Sequence, residues 1–303
     1  MSEPLLDILK RGTVLLCDGA TGTELQNRGL PQGDPPERLL LDDPDLVLAL
    51  HRDYIAAGAD IIETNSFGAN RSRLAHYGLQ DRVTELCLKA TELARRAADE
   101  SPRRVWVAGS IGPSGEIMEP LGSLSADAAY DSFAEAAEAL ARGGADILFI
   151  ETMMAQDEAA IAVRAARENT RLPVAATMSF EKGKAGLRTP WGVDPATAVQ
   201  ALTEAGADLL GANCGRGFDD MVEIIAEMRP LTDKPLLAQA NAGLPQWLDG
   251  RNVYPETPES ILPDVNRLLH LGVNLIGGCC GTGPAHIRKM RELVDQFNEG
   301  KRS

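Results

Sequence analysis

The chain has 303 residues, 44% hydrophobic and 24% charged, which is enough apolar material for one large core at a length that barrel domains commonly reach. With 30 basic against 44 acidic residues the formal charge is -14; this repels phosphate backbones and anionic lipid and argues against nucleic acid or a membrane surface as partner. No apolar run approaches the ~20 residues that span a bilayer, and the opening MSEPLLDILKRG lacks a basic stretch followed by an apolar core, so the expectation is a soluble, cytoplasmic protein with one domain over 1–303.

In chain order, helices with alanine-rich faces run into small-residue turns and then short apolar strands. The turns are Ala57-Gly58-Ala59-Asp60, Gly143-Gly144-Ala145-Asp146, Ala205-Gly206-Ala207-Asp208 and Leu271-Gly272-Val273-Asn274. The strands predicted after them cover Ile61 to Asn65, Ile147 to Thr152, Leu209 to Cys214 and Leu275 to Cys280. Four more fit between them, at Val14 to Asp18, Val105 to Ser110, Val174 to Ser179 and Leu236 to Asn241. Helical patterns occupy roughly 44 to 57, 80 to 98, 125 to 142, 155 to 169, 194 to 205, 217 to 228, 258 to 270 and 283 to 297. Continuous apolar strands alternating with helices predict a parallel sheet covered on its outer face, and eight such units predict an α/β fold, a single (β/α)8 TIM barrel. An open doubly wound sheet is the alternative.

Connections into the strands are tight, whereas those leaving them are long: Gly19 to Asp43, Ile111 to Leu124, Phe180 to Val193 and Ala242 to Thr257. Long insertions gather at the carboxyl ends of barrel strands, where function is built. Trp191, Trp247 and Tyr254 lie in these loops and would suit a partly lidded cleft. The strand ends themselves carry Asp18, Glu63 with Asn65, Ser110, Glu151, Ser179, Asn213 with Cys214, Asn241, and Cys279 with Cys280. No lysine ends any strand, which argues against a Schiff-base aldolase or decarboxylase.

Five cysteines are sparse and odd in number for this length, a poor basis for a disulfide framework. Cys17 and Cys87 read as core fillers. Cys214 and the adjacent Cys279 and Cys280 would meet at one barrel mouth, and three thiolates around one ion with an open fourth position describe a catalytic zinc. Gly277, Gly278 and Gly281 would permit the distorted strand end that two neighbouring ligands need. The other reading of the same residues is small core fillers or a structural vicinal pair. Zinc held by three thiolates is a weak Lewis acid toward water and is better suited to a fourth sulfur, which it would keep as thiolate at neutral pH. The four histidines, His51, His76, His270 and His286, read as surface or satisfied residues away from the strand ends. Gly112-Pro113-Ser114-Gly115 reads as a turn, since no Lys-Ser or Lys-Thr pair follows it.

The segments CDGATGTELQ (17–26), ADIIETNSFGAN (59–70), GSIGPSGE (109–116), GADILFIET (144–152), GANC (211–214), QANAG (239–243) and GGCCGT (277–282) span nearly the whole chain. In these the sequence resembles the homocysteine S-methyltransferase family, which includes the homocysteine-binding module of cobalamin-dependent methionine synthase and the betaine- and S-methylmethionine-homocysteine methyltransferases. The resemblance implies Zn2+ on Cys214, Cys279 and Cys280, with the homocysteine sulfur in the open position. It implies Asp18 and Glu151 as binders of the amino acid moiety of homocysteine, a suitable role for carboxylates facing an ammonium; the local alternatives are a turn cap for Asp18 and an arginine pair for Glu151. Asn213 and Asn241 resemble polar residues near the metal. The amides around Gly19, Ala20 and Thr21 would make an anion nest for the substrate carboxylate, and Ser110 and Thr152 belong to the same rim.

Two methyl donors fit this resemblance, a methylcorrinoid on a separate protein or a small donor such as S-methylmethionine or a betaine. ETNSFGAN and GPSGE look closer to the methionine synthase module and favour the corrin-type donor. A noncatalytic, partner-binding barrel with a structural zinc is the alternative outside the enzymes.

Overall fold

A computed structural model describes residues 4–248 and 250–301. Eight parallel strands, β1 (Leu15–Leu16), β2 (Ile61–Glu63), β3 (Trp106–Ile111), β4 (Ile147–Met153), β5 (Val174–Met178), β6 (Leu209–Cys214), β7 (Leu236–Ala240) and β8 (Leu275–Gly278), form one sheet. From β2 to β8 each pairs with the next in sequence, and β1 pairs with β8. The ring closes between β1 and β2, where Cys17 bridges Ile61 and the Asp18 amide donates to the Ile61 carbonyl at 3.0 Å. The eight principal helices are α1 (Pro44–Ala57), α2 (Val83–Asp99), α3 (Ala126–Gly143), α4 (Gln156–Asn169), α5 (Pro195–Ala205), α6 (Phe218–Met228), α7 (Leu262–His270) and α8 (Pro284–Gly300). The fold is the (β/α)8 barrel that the alternation predicts, not the open sheet. No described helix is long and apolar enough to cross a membrane.

The repeated turn has a structural use beyond its glycine. Asp60 accepts from the Leu16 amide, Asp146 from Val107, Asp208 from Val174 and Asn274 from Leu236, at 2.8 to 3.1 Å. The residue that opens each even-numbered strand therefore clamps the start of the preceding odd one, which satisfies backbone donors that the barrel geometry leaves unpaired.

Side-chain alternation divides the core. Outward-facing strand residues pack under the helices, while Leu15, Cys17, Ile61, Trp106, Ile147, Phe149, Leu209, Leu237 and Leu275 fill the barrel interior. A short helix, Leu5–Lys10, closes the amino-terminal end of this interior with Leu5 and Leu9, an element absent from the sequence reading. One step further along each strand the interior turns polar, and the site begins there.

Most strand ends shift by a residue or two from expectation, and the shifts at β1 and β8 bear on the site. β1 is shorter than Val14 to Asp18, continuing only as the single bridge at Cys17. β8 ends at Gly278, so Cys279 and Cys280 lie in the turn that follows it. Two of the long loops carry small antiparallel hairpins, Glu181–Gly183 with Gly186–Arg188 and Gln246–Leu248 with Arg251–Val253.

Candidate metal and substrate site

Above the apolar interior, the inward register brings Glu63, Ser110, Glu151, Asn213 and Gln239 to the floor of a cavity of about 720 Å3. The loop after β1 (Gly19 to Thr23) and Cys214, Cys279 and Cys280 line the same cavity. The basic residues on its wall, Arg73 and His76, come from the segment after β2.

The three sulfurs lie within 4.8 Å of one another. Backbone geometry brings them together. Cys214 ends β6 with φ 66, the left-handed region that costs a non-glycine residue roughly 1–3 kcal/mol and turns its side chain out of the strand alternation. In the turn after β8, a Cβ on Gly278 would lie 1.9 Å from Thr282 Oγ1, and one on Gly281 (φ 82) would lie 2.1 Å from Tyr254 Cγ. Only glycine permits that path. Thr282 holds the turn from below, its hydroxyl donating to the Cys279 carbonyl at 2.6 Å.

The donor set fits a soft cation such as zinc. Hydrogen bonds from the Cys279 and Cys280 thiols pull Cys214 down to about 3, while donating them pushes Cys279 well up and Cys280 up to about 12. Cys279 and Cys280 thus hold protons that a metal would displace, while Cys214 already stands as the acceptor between them. Asn241 stands beside Cys214 with its amide nitrogen on the Gly215 carbonyl at 2.7 Å, and its Oδ1 is buried without a partner. Tyr254 donates from its hydroxyl to Cys280 and accepts from Thr23.

The carboxyl groups occupy the other part of the floor. Glu151 sits on a bulge of β4, where the register shifts between Ile150 and Met153 and Thr152 takes φ 60; bulges re-aim side chains in this way. The Glu151 carboxylate accepts from the Ser110 hydroxyl and from Asn213 Nδ2 at 3.3 Å. Glu63 accepts from Gln239 Nε2 at 2.5 Å and hydrogen-bonds to Glu151. Burial raises Asp18, Glu63 and Glu151, and mutual repulsion raises Asp18 and Glu63 further. Such a pocket favours an incoming cation.

A profile of the homocysteine S-methyltransferase family matches residues 15–294. The chain belongs to that family. It is 35% identical to the methionine synthase of Mycobacterium tuberculosis over 98% of its length and 32% identical to that of Mycobacterium leprae over 95%. It spans about a quarter of the length of these relatives, 26% and 25%. In structure it resembles the metallated form of the homocysteine methyltransferase MmuM of Escherichia coli, with TM-score 0.79, 27% identity, and coverage of 96% of this chain and 100% of that one.

Within this family frame, most of the predicted residues converge. Ser110, Glu151, Thr152, Asn213, Cys214, Cys279 and Cys280 share one cavity with Gly19 and Ala20. Asp18 and Asn241 lie outside its wall: Asp18 is 1% exposed, with Oδ2 taking the Glu63 amide at 2.9 Å and Oδ1 buried without a partner. Among the described residues Glu151 has no arginine partner, contrary to its local alternative; its hydrogen bonds run to Ser110, Asn213 and Glu63. The Ala20 amide is spent on the Thr282 carbonyl at 2.9 Å, which removes it from the anion nest expected of Gly19 to Thr21.

Other expectations fail for physical reasons. Trp191 and Trp247 are exposed and form no part of the cavity wall, so they make no lid. His51 is neither on the surface nor satisfied: it is 1% exposed, both ring nitrogens lack partners, and burial lowers its pKa to about 4. His76 lines the cavity's outer part. Two floor residues were missed as site residues, Glu63 and Gln239. Reading two positions on from the interior residues Ile61 and Leu237 finds both.

Proposed function

We propose that this chain transfers a methyl group to the thiolate of L-homocysteine, forming methionine, with Zn2+ held by Cys214, Cys279 and Cys280. The observation that carries this reading is the convergence of three sulfurs within 4.8 Å on the wall of a cavity whose floor is carboxylate-rich. Zinc in that position would supply the Lewis acidity that strips the proton from a substrate thiol at neutral pH. The chain's own residues do the positioning. Glu151, held by Ser110 and Asn213, faces the substrate ammonium, with the unpartnered Asp18 oxygen behind it. Asn213 also lies 3.9 Å from Cys279 Sγ and so ties the amino acid pocket to the sulfur cluster. Methyl transfer is an in-line displacement, and the rate rests on holding the thiolate ~3 to 3.5 Å from the methyl carbon with orbitals aligned. No general base is required.

Identities of 35% and 32% to methionine synthases, against 27% to MmuM, favour a methylcorrinoid as donor over S-methylmethionine or a betaine. Purified zinc-loaded protein is given homocysteine with methylcobalamin, S-methylmethionine, S-adenosylmethionine or glycine betaine. Methionine from methylcobalamin alone supports the corrin donor, methionine from a small donor alone replaces it, and no methionine from any donor counts against the reaction.

A further inference from the structure

The bond between Glu63 and Gln239 crosses the barrel mouth between strands that are not neighbours, since β1 and β8 stand between β2 and β7. Gln239 is 3% exposed, lies level with Asn213 and Gly277 in the sheet register, and lines the cavity. Its amide nitrogen is committed to Glu63 Oε1 at 2.5 Å, so its carbonyl oxygen points the other way, and that oxygen is buried with no partner. A buried acceptor without a donor is costly unless a ligand supplies one.

Glu63 sets the orientation. Desolvation and the charges of Glu151 and Asp18 raise its pKa well above the ordinary carboxyl value. In its protonated form the hydroxyl donates to Glu151 and the other oxygen accepts from Gln239. Only the NH2 side of the amide can then face Glu63. The other side of the amide is left as a neutral, unpartnered acceptor on a residue that lines the same cavity as Glu151. An ammonium has three hydrogens to place, and a neutral carbonyl takes one without adding a further buried negative charge, which this acidic floor would resist.

We propose that Gln239, oriented by Glu63, accepts a hydrogen bond from the substrate ammonium and thereby determines specificity for α-amino thiols, an inference that rests on the homocysteine reading above. Gln239 is the contacting residue, and Glu63 is a positioning residue acting through it.

The test compares binding of L-homocysteine and of 4-mercaptobutanoate, the same thiol acid without the amino group, to zinc-loaded protein by calorimetry. Zinc content and unfolding temperature are measured for every variant. Gln239→Leu should weaken homocysteine binding about 10- to 100-fold, as expected for a hydrogen bond to a charged group, and leave 4-mercaptobutanoate unchanged. Glu63→Gln should stay near wild type, because glutamine accepts from Gln239 through its carbonyl and donates to Glu151 through its amide. Glu63→Leu should lose homocysteine selectively, as Gln239→Leu does. If Gln239→Leu fails to fold, Gln239→Met takes its place with the same expected outcome. Equal losses for both ligands, no loss for either, or a Glu63→Gln defect as large as that of Glu63→Leu overturns the proposal. Wild type that fails to bind homocysteine overturns the homocysteine reading itself, and the two failures are thereby distinguished.

Discussion

Asn213 Nδ2 donates to Glu151 Oε2 at 3.3 Å, joining the residue before Cys214 to the bulged end of β4. The same side chain donates to Thr152 Oγ1 and accepts from the Thr152 amide and the Thr177 hydroxyl, each at 2.7 Å. Asn213→Ala leaves the Thr152 amide without its acceptor, at a cost of roughly 1–3 kcal/mol. Homocysteine affinity should fall about 10- to 100-fold, the range typical of outer-shell partners. Chemical denaturation and calorimetry on one preparation check both. Unchanged values in both would remove Asn213 from its linking role.

Cys214→Ser should lose zinc affinity by more than the ~10- to 100-fold of an outer-shell change, with far-UV circular dichroism retained, because the three cysteines sit beyond the packed barrel interior. Metal analysis after dialysis reads the outcome. Full zinc retention would exclude Cys214 as a ligand.

Gly281→Ala places a methyl group 2.1 Å from Tyr254 Cγ at a residue with φ 82. The turn after β8 must shift, carrying Cys280 away from Cys214. Weaker zinc retention is expected with little change in Gly272→Ala, whose added Cβ meets nothing closer than 3.7 Å. Both glycines have positive φ, so the comparison isolates the clash from backbone strain. Equal zinc loss in the two variants would contradict this.

His51 predicts an acid limb. Its pKa falls from 6.5 to about 4 on folding because the ring is buried, so the unfolded chain binds more protons between those values. The stability it contributes is present above pH 6.5 and is lost as pH falls toward 4. At 1.36 kcal/mol per unit, about 2 kcal/mol should go between pH 7 and pH 5. His51→Phe removes the titrating group and should flatten that limb; denaturant titrations at the two pH values compare the slopes. An unchanged limb would assign the acid loss elsewhere.

The barrel was legible because its strands are buried on both faces and read as unbroken apolar runs, and because Gly-Ala-Asp turns recur before β2, β4 and β6, with Gly-Val-Asn before β8. The clamps made by Asp60, Asp146 and Asp208 were invisible in sequence, since they join residues far apart along the chain. The cysteine cluster was legible from spacing and glycines, but its geometry was not: Cys279 and Cys280 sit in a turn rather than a strand, and Cys214 relies on a left-handed backbone that composition does not announce. Glu63 is legible as a strand-end residue but carries no motif that gives it a role, and Gln239 escapes because it lies two residues short of the expected strand end at Asn241. Gln239, two residues before Asn241 and still within β7, is the one that lines the cavity. The two hairpins escaped because three-residue strands carry too little pattern.

Zinc K-edge absorption on the purified chain, recorded before and after addition of homocysteine, tests the central claim most directly. The account predicts about one zinc per chain in a sulfur-rich shell that gains one sulfur neighbour when homocysteine is added, as an open catalytic site would. Protein that forms methionine without metal, or a sulfur shell unchanged by homocysteine, would contradict it.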